Sequence, residues 1–266
     1  MTPLRIALYQ GPAGVPRDTG ESLDALDAAA ARAAAAGVGL LVAPEMYLTG
    51  YAIGDAVPDR AEPADGPGAA RVAAVAAARG LAIAYGYPER AGAAVFNSAQ
   101  LVGADGTRLA NYRKTHLFGP FEEQHFTAGD TAVVQAQLGG LTVGLLICYD
   151  VEFPETVRAH ALAGTDLLLV PTALMRPYDF VPLTLVPTRA YESQLYVAYA
   201  NRCGAEGEWE FTGLSTLAAP DGVVRTRAGA GPELVVGDAD PALLHASRRE
   251  LPYLRDRRPG LYGPTA

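Results

Sequence analysis

Lysine is almost missing from this chain of 266 residues: it occurs once, at Lys114, and every other basic residue of the Lys+Arg total of 21 is arginine. Cysteine is scarce too. Cys148 and Cys203 are too few for a disulfide framework, although a count alone does not exclude one bridge. No stretch approaches 18 consecutive apolar residues, so no membrane-spanning helix is expected. The opening MTPLRIALYQ lacks the basic start and long apolar run of a secretion signal. Both absences point to a cytoplasmic protein, where thiols stay reduced. Positive charge is in deficit as well: the net charge is −8 and the pI is near 5.0. Nucleic-acid binding needs a basic stripe, so no nucleic-acid partner is expected. The one basic cluster, Arg248, Arg249, Arg255, Arg257 and Arg258, is interrupted by Glu250 and Asp256 and reads as a solvated or subunit-contacting tail. Absent also are G-x-S-x-G, H-E-x-x-H, C-x-x-C and the phosphate-binding G-x-x-x-x-G-K-[ST], which removes the commonest hydrolase, zinc, redox and nucleotide signatures.

Half of the residues are apolar, enough for a sizeable core of α/β type. Leu4–Gln10, Leu40–Ala43, Leu81–Tyr85, Asp166–Val170 and Leu195–Asn201 read as buried strands. Asp18-Thr19 caps an Ala-rich helix that ends near Gly37, and Pro67 opens another that stops near Gly80. Val95–Val102 with Thr107–Arg113, and Val133–Gln137 with Leu141–Ile147, flank glycine-containing turns and read as hairpins. Pro154 starts a helix, and a further helix covers much of Val181–Ser193, its start blurred by Pro182 and Pro187. Leu214–Ala218, Val223–Arg227 and Leu234–Gly237 complete the strands. Hairpins mixed with strand–helix alternation predict mixed sheets covered by helices, not a purely parallel fold. The alanine runs Ala28–Ala36 and Ala69–Ala78 suit close packing on a sheet.

Three chemically suited residues leave strands at an end, where reacting groups gather in α/β sheets. Cys148 ends the apolar Leu145-Leu146-Ile147, with Pro154 opening a helix soon after. Lys114 follows Tyr112-Arg113, and Glu45 follows Leu41-Val42-Ala43-Pro44. A lone lysine in an arginine-preferring chain asks for a reason. Its compact ammonium approaches one atom as a point charge, which the planar arginine fork does not. The ammonium would favour a thiolate and hold an oxyanion; the carboxylate would accept and return a proton. Taken singly, each has an ordinary reading: a buried structural thiol, a surface cap and a solvated strand end. A Cys–His pair through His116 is the competing chemistry, while His125, His160 and His245 read as surface or capping groups. Cys203 reads as structural.

The segments APEMYLTGY, NYRKTHLFG and LLICYDVEFPE resemble the three signature blocks of the nitrilase (carbon–nitrogen hydrolase) superfamily, in that family's order Glu, Lys, Cys. The likeness runs on through VPTALMRPYDF and RAYESQLYVAYANRCGAE and covers nearly the whole chain. It implies a four-layer αββα sandwich as one domain over residues 1–266, a homodimer or higher homo-oligomer, and no metal or organic cofactor. It implies Glu45, Lys114 and Cys148 as a catalytic triad, Glu122 (with Glu123 adjacent) as a further glutamate, and the backbone N–H of Tyr149 with Lys114 as oxyanion donors. LTGYAIG, YGYPER and CYDVEFPE are most similar to the 5-aminopentanamidase-like and R-stereoselective amidases. The implied activity is hydrolysis of a small aliphatic amide, ω-amino amides included, through a cysteine thioester. Nitrile and N-carbamoyl hydrolysis are alternatives with the same triad, and a non-catalytic binding protein is the rival of a different class. Tyr51, Thr172, Asp179 and Trp209 are pocket candidates. Asp179, Glu208 and Glu210 are candidate acceptors for a distal ammonium, with Trp209 or Phe211 as its aromatic neighbour.

Overall fold

The computed structural model describes residues 2–262. Its first half runs β1 (Leu4–Tyr9), α1 (Thr19–Ala35), β2 (Leu40–Val42), the single turn α2 (Val57–Arg60), α3 (Pro67–Arg79), β3 (Ala82–Ala91), β4 (Ala94–Val102) and β5 (Arg108–Arg113). The second runs α4 (Gly119–His125), β6 (Gln135–Leu138), β7 (Leu141–Leu145), α5 (Pro154–Leu162), β8 (Leu167–Thr172), α6 (Val186–Ser193) and β9 (Tyr196–Asn201). A hairpin of β10 (Cys203–Glu206) and β11 (Trp209–Thr212) follows. Then come β12 (Thr216–Ala218), β13 (Val224–Arg227), β14 (Leu234–Ala239), α7 (Pro241–Glu250) and α8 (Tyr253–Asp256).

Two six-stranded sheets result, in the orders β14-β1-β2-β3-β4-β5 and β13-β12-β9-β8-β7-β6. Each has three parallel strands at its centre, β1-β2-β3 and β7-β8-β9, with antiparallel partners outside. Strands with helices on one face and a second sheet on the other are buried on both, which is why they read as unbroken apolar runs. The period of two still sorts them. Ile6, Leu8, Leu40, Val42, Ala82 and Ala84 point into the layer shared with the second sheet. Their alternates Ala7, Leu41, Ile83 and Tyr85 pack on Leu23, Leu26, Ala29, Ala30 and Ala33 of α1 and on Val72, Val75 and Ala76 of α3. On the far side, Val157, Ala161, Val186, Ala190 and Leu244 bring α5, α6 and α7 onto the second sheet. The layering is αββα, with mixed sheets. Burial of each larger aliphatic side chain stabilises it by ~1.5–3 kcal/mol. Among the described residues no helix is long and apolar enough to cross a membrane.

The predicted hairpins and the Asp18 cap are present; Asp18 Oδ1 accepts the Glu21 N–H at 2.9 Å. The helix expected over much of Val181–Ser193 is present, and its start is irregular: it opens as a π-type turn over Val181–Leu185, since Pro182 and Pro187 supply no N–H for a regular ladder. Two other expectations are corrected. The basic cluster is not simply a tail. Arg248 lies on α7 and donates to Asp166 Oδ1 at 2.7 Å and to the carbonyls of Gln194 and Thr165. His160 is not a surface group: it is wholly buried beside Gly144, where a Cβ would lie 2.4 Å from its Nδ1.

Candidate active site

The parallel centres of both sheets send their C-terminal ends to one rim, and β5, antiparallel to β4, ends there too. Glu45, Lys114 and Cys148 leave from these ends. Glu45 lies just past β2. Its carbonyl and that of Met46 accept from Arg202 Nη1, and Gly86 presses against it from β3, with no room for a side chain: a Cβ would meet Met46 N at 2.5 Å and Glu45 Cα at 2.6 Å. Lys114 directly follows β5, its N–H bonded to the Asn97 carbonyl at 2.8 Å. Cys148 begins a 3-10 turn over Cys148–Glu152 after β7, with φ at +45°. A non-glycine residue in that region costs ~1–3 kcal/mol and needs surrounding structure to hold it.

Asp150 supplies much of that hold. Its buried carboxylate accepts from the Ile147 N–H at 3.1 Å, and from Tyr112 OH, Thr115 OH and the His116 N–H at 2.9 Å each. One side chain thereby ties the turn bearing Cys148 to the strand end bearing Lys114.

Lys114, Glu45 and Glu122 are all wholly buried. Lys114 Nζ donates to Glu45 Oε1 at 2.8 Å and to Glu122 Oε1 at 2.6 Å. Tyr51 OH donates to Glu122 Oε1 at 2.7 Å and the Phe118 N–H to its Oε2 at 2.8 Å, so Glu122 is fully engaged, whereas Glu123 is exposed. Asn97 Nδ2 donates to Glu45 Oε1 at 2.7 Å. Glu45 Oε2 is buried with no partner among the described residues, an acceptor left over for a proton donor.

Burial, opposed by Lys114, pushes the Glu45 carboxyl up to about 7. Burial alone would lower Lys114, but Glu122 and Glu45 outweigh it and hold the ammonium well above its usual range. The Cys148 thiol is raised well above its ordinary value by burial and by Glu45; Lys114 and the Ala173 N–H offset only part. Lys114 does pull toward the thiolate, but burial and Glu45 outweigh it. The lysine's charge is already shared between two carboxylates, and the thiol needs a base.

Cys148 opens into a cavity of about 240 Å³, walled by Tyr51, Phe118, Tyr149, Glu152, Tyr178 and the Ala173–Met175 segment. Of the expected pocket residues, Tyr51 lines it. Trp209 packs behind, 5.2 Å from the Tyr51 ring and 4.9 Å from Phe121. Thr172 is buried and its hydroxyl donates to the Val170 carbonyl at 2.9 Å, so it is not a pocket group. Asp179 and Glu210 are both paired with Arg176, at 3.3 and 3.1 Å, and Glu208 is exposed; none lines the cavity. His116 meets Asp150 at 2.9 Å through Nδ1 and stacks on Phe153 at 4.1 Å, also outside the cavity lining, which leaves the Cys–His alternative without its pair. Asn97, Gly86, Asp150 and Glu152 were not singled out from sequence. Asn97 had a signal, a polar residue inside an apolar strand; the others are defined only by what they touch.

The profile of the carbon–nitrogen hydrolase family matches residues 5–249. The chain belongs to the carbon–nitrogen hydrolase family. It is 50% identical over 261 residues to a protein of Pseudomonas protegens described as "Hydrolase in pqqF 5'region", covering 97% of this chain and 90% of that one. It is 39% identical over 227 residues to an (R)-stereoselective amidase of Pseudomonas sp, covering 84% and 81%. Among solved structures, the amidase of Nesterenkonia sp. AN1 superposes with a TM-score of 0.87 at 38% identity, covering 97% of this chain and 98% of that one. A double mutant of that amidase in complex with acrylamide gives 0.88 at 37% identity, covering 98% and 96%. One of its mutants carries the acetamide moiety of fluoroacetamide on the active-site cysteine, and another was solved with butyramide. This carbon–nitrogen hydrolase is an enzyme of the amidase/nitrilase type.

Proposed function

We propose that this enzyme hydrolyses small aliphatic amides to carboxylate and ammonia through a thioester on Cys148. The observation that carries this reading is the free Oε2 of Glu45, a buried carboxylate poised near neutrality beside a thiol that is protonated at rest. Glu45 takes the thiol proton as sulfur bonds to the amide carbon. The tetrahedral oxyanion is held by Lys114 and by the Tyr149 N–H, one of the turn's N-terminal donors that no helical carbonyl can accept. Glu45 returns the proton to nitrogen, the C–N bond breaks and ammonia leaves. Water, deprotonated by Glu45, then attacks the thioester; acid is released and the thiol regains its proton. Glu122 positions Lys114, and Asn97 positions Glu45. The size of the cavity supports short acyl chains, as do the amides bound by the Nesterenkonia relative. 5-Aminopentanamide is the finer substrate proposed, and a cytoplasmic homodimer the setting.

An ammonia-release screen over acetamide, butyramide, pentanamide, 5-aminopentanamide, matched nitriles and N-carbamoyl amines tests the reading. Amides should turn over fastest, and intact mass should reveal an acyl adduct that Cys148→Ala cannot form. Faster turnover of the nitriles, or amide hydrolysis surviving in Cys148→Ala, would refute it.

A further inference from the structure

Glu152 lies four residues after Cys148 and lines the same cavity. In a 3-10 turn residues three apart share a face, so Tyr149 and Glu152 stand together, roughly 8 Å of helical rise beyond the start of the turn for the latter. The backbone beneath Glu152 is fixed by buried Arg189, which donates Nε to the Val151 carbonyl at 3.1 Å and Nη2 to the Glu152 carbonyl at 2.7 Å. The remaining arm of Arg189 goes to Glu192 at 2.8 Å. The Glu152 carboxylate is thus left without a hydrogen-bond partner among the described residues, although a cation stands close by. Around it the cavity is aromatic: Phe118 meets Tyr149 edge-on at 5.2 Å and Tyr178 at 6.2 Å. Among the described residues lining this cavity, Glu152 is the one charged side chain.

A carboxylate among aromatic rings is the donor set that recognises an ammonium, by a charge-assisted hydrogen bond and by ring faces. The same carboxylate repels an anion, so it discriminates in both directions. We propose that Glu152, backed by Phe118, Tyr149 and Tyr178, binds a cationic group at the far end of the amide, and that the enzyme selects ammonium-bearing amides over neutral and anionic ones of equal length. This assignment rests on the amidase reading of the Cys148 cavity. It replaces Asp179, Glu208 and Glu210 as the acceptor. Burial raises the Glu152 carboxyl, opposed by Lys114 and Arg189, and a bound ammonium would draw it back toward the ionised form.

Binding is measured in full-length Cys148→Ala protein, which cannot turn over, by titration calorimetry with 5-aminopentanamide, pentanamide and 4-carbamoylbutanoate. The cation should bind about tenfold more tightly than the neutral amide, and the anion most weakly. Adding Glu152→Gln should collapse the cation preference to within about threefold, and Glu152→Lys should turn the order toward 4-carbamoylbutanoate. Equal affinities for all three, no binding by any of them, or a preference unchanged in Glu152→Gln would overturn the proposal. Turnover by the unmutated enzyme is read separately. A charge preference in binding without ammonia release from any amide would refute the reaction and leave the Glu152 site standing.

Discussion

The sole lysine offers a decisive perturbation. In Lys114→Arg the positive charge survives, but its shape does not. Nζ sits 2.8 and 2.6 Å from two carboxylate oxygens in a space with no exposure, and a guanidinium is wider and planar. Overfilling such a site costs ~1–3 kcal/mol, and in a chain of this size each kcal/mol lowers Tm by roughly 2–4 °C. If the ammonium also holds the oxyanion, its misplacement removes a donor whose loss costs ~10²–10³ in rate. The interaction exists only in the transition state, so kcat and kcat/KM should fall together while KM stays near its native value. Lys114→Met is the companion. It leaves Glu45 and Glu122 facing each other uncompensated and should cost ~3–5 kcal/mol of stability, more than the arginine variant, while being equally inactive. Thermal melts and ammonia release on one amide measure both. An arginine variant with more than about a tenth of native kcat would refute the point-charge argument, since loss of one donor lowers the rate by at least ~10².

Three further outcomes follow from the geometry. Glu45 must be ionised to accept the thiol proton, so kcat/KM should fall as pH drops below about 7, and Glu45→Gln should remove both that limb and most of the activity. A flat acid limb in the native enzyme would count against Glu45 as the base. Gly86→Ala drives a methyl into the backbone of Glu45 and Met46; kcat should drop by ~10² with the fold retained, and native kcat would show that the approach is slack. His160 is buried neutral, with burial lowering it from 6.5 to about 4, so the unfolded chain takes up the proton first as pH falls. Its contribution is present above pH 6.5 and is lost on going down toward about 4, roughly 3 kcal/mol in all. Denaturation midpoints across that window in native and His160→Gln protein check it, and identical pH slopes would dismiss the assignment.

Much of the fold is legible because burial on two faces leaves a plain trace: unbroken apolar strands, alanine-rich helices and glycine turns. Elements without such periodicity escaped. α4 is seven residues opened by Pro120, the β10–β11 hairpin is short with Gly204 and Gly207 in it, and α7, capped by Asp240, follows β14 directly. Histidine burial was misread too. His160 shares the buried face of α5 with Val157 and Ala161, and only the missing side chain of Gly144 opens its slot.

The chain alone determines which groups are available: one thiol after a strand, one lysine, and a glutamate after Pro44, each at a strand end and so free to meet the others. Tertiary structure decides their states. Whether Lys114 activates sulfur or is shared by two carboxylates, whether Glu45 is a base near neutrality, and whether Asp179 or Glu152 meets the substrate all turn on distance and burial. Those depend on how two sheets stack and which strand ends share a rim. Electrostatic interactions change severalfold between water and a dry interior, and no local spacing reports that difference.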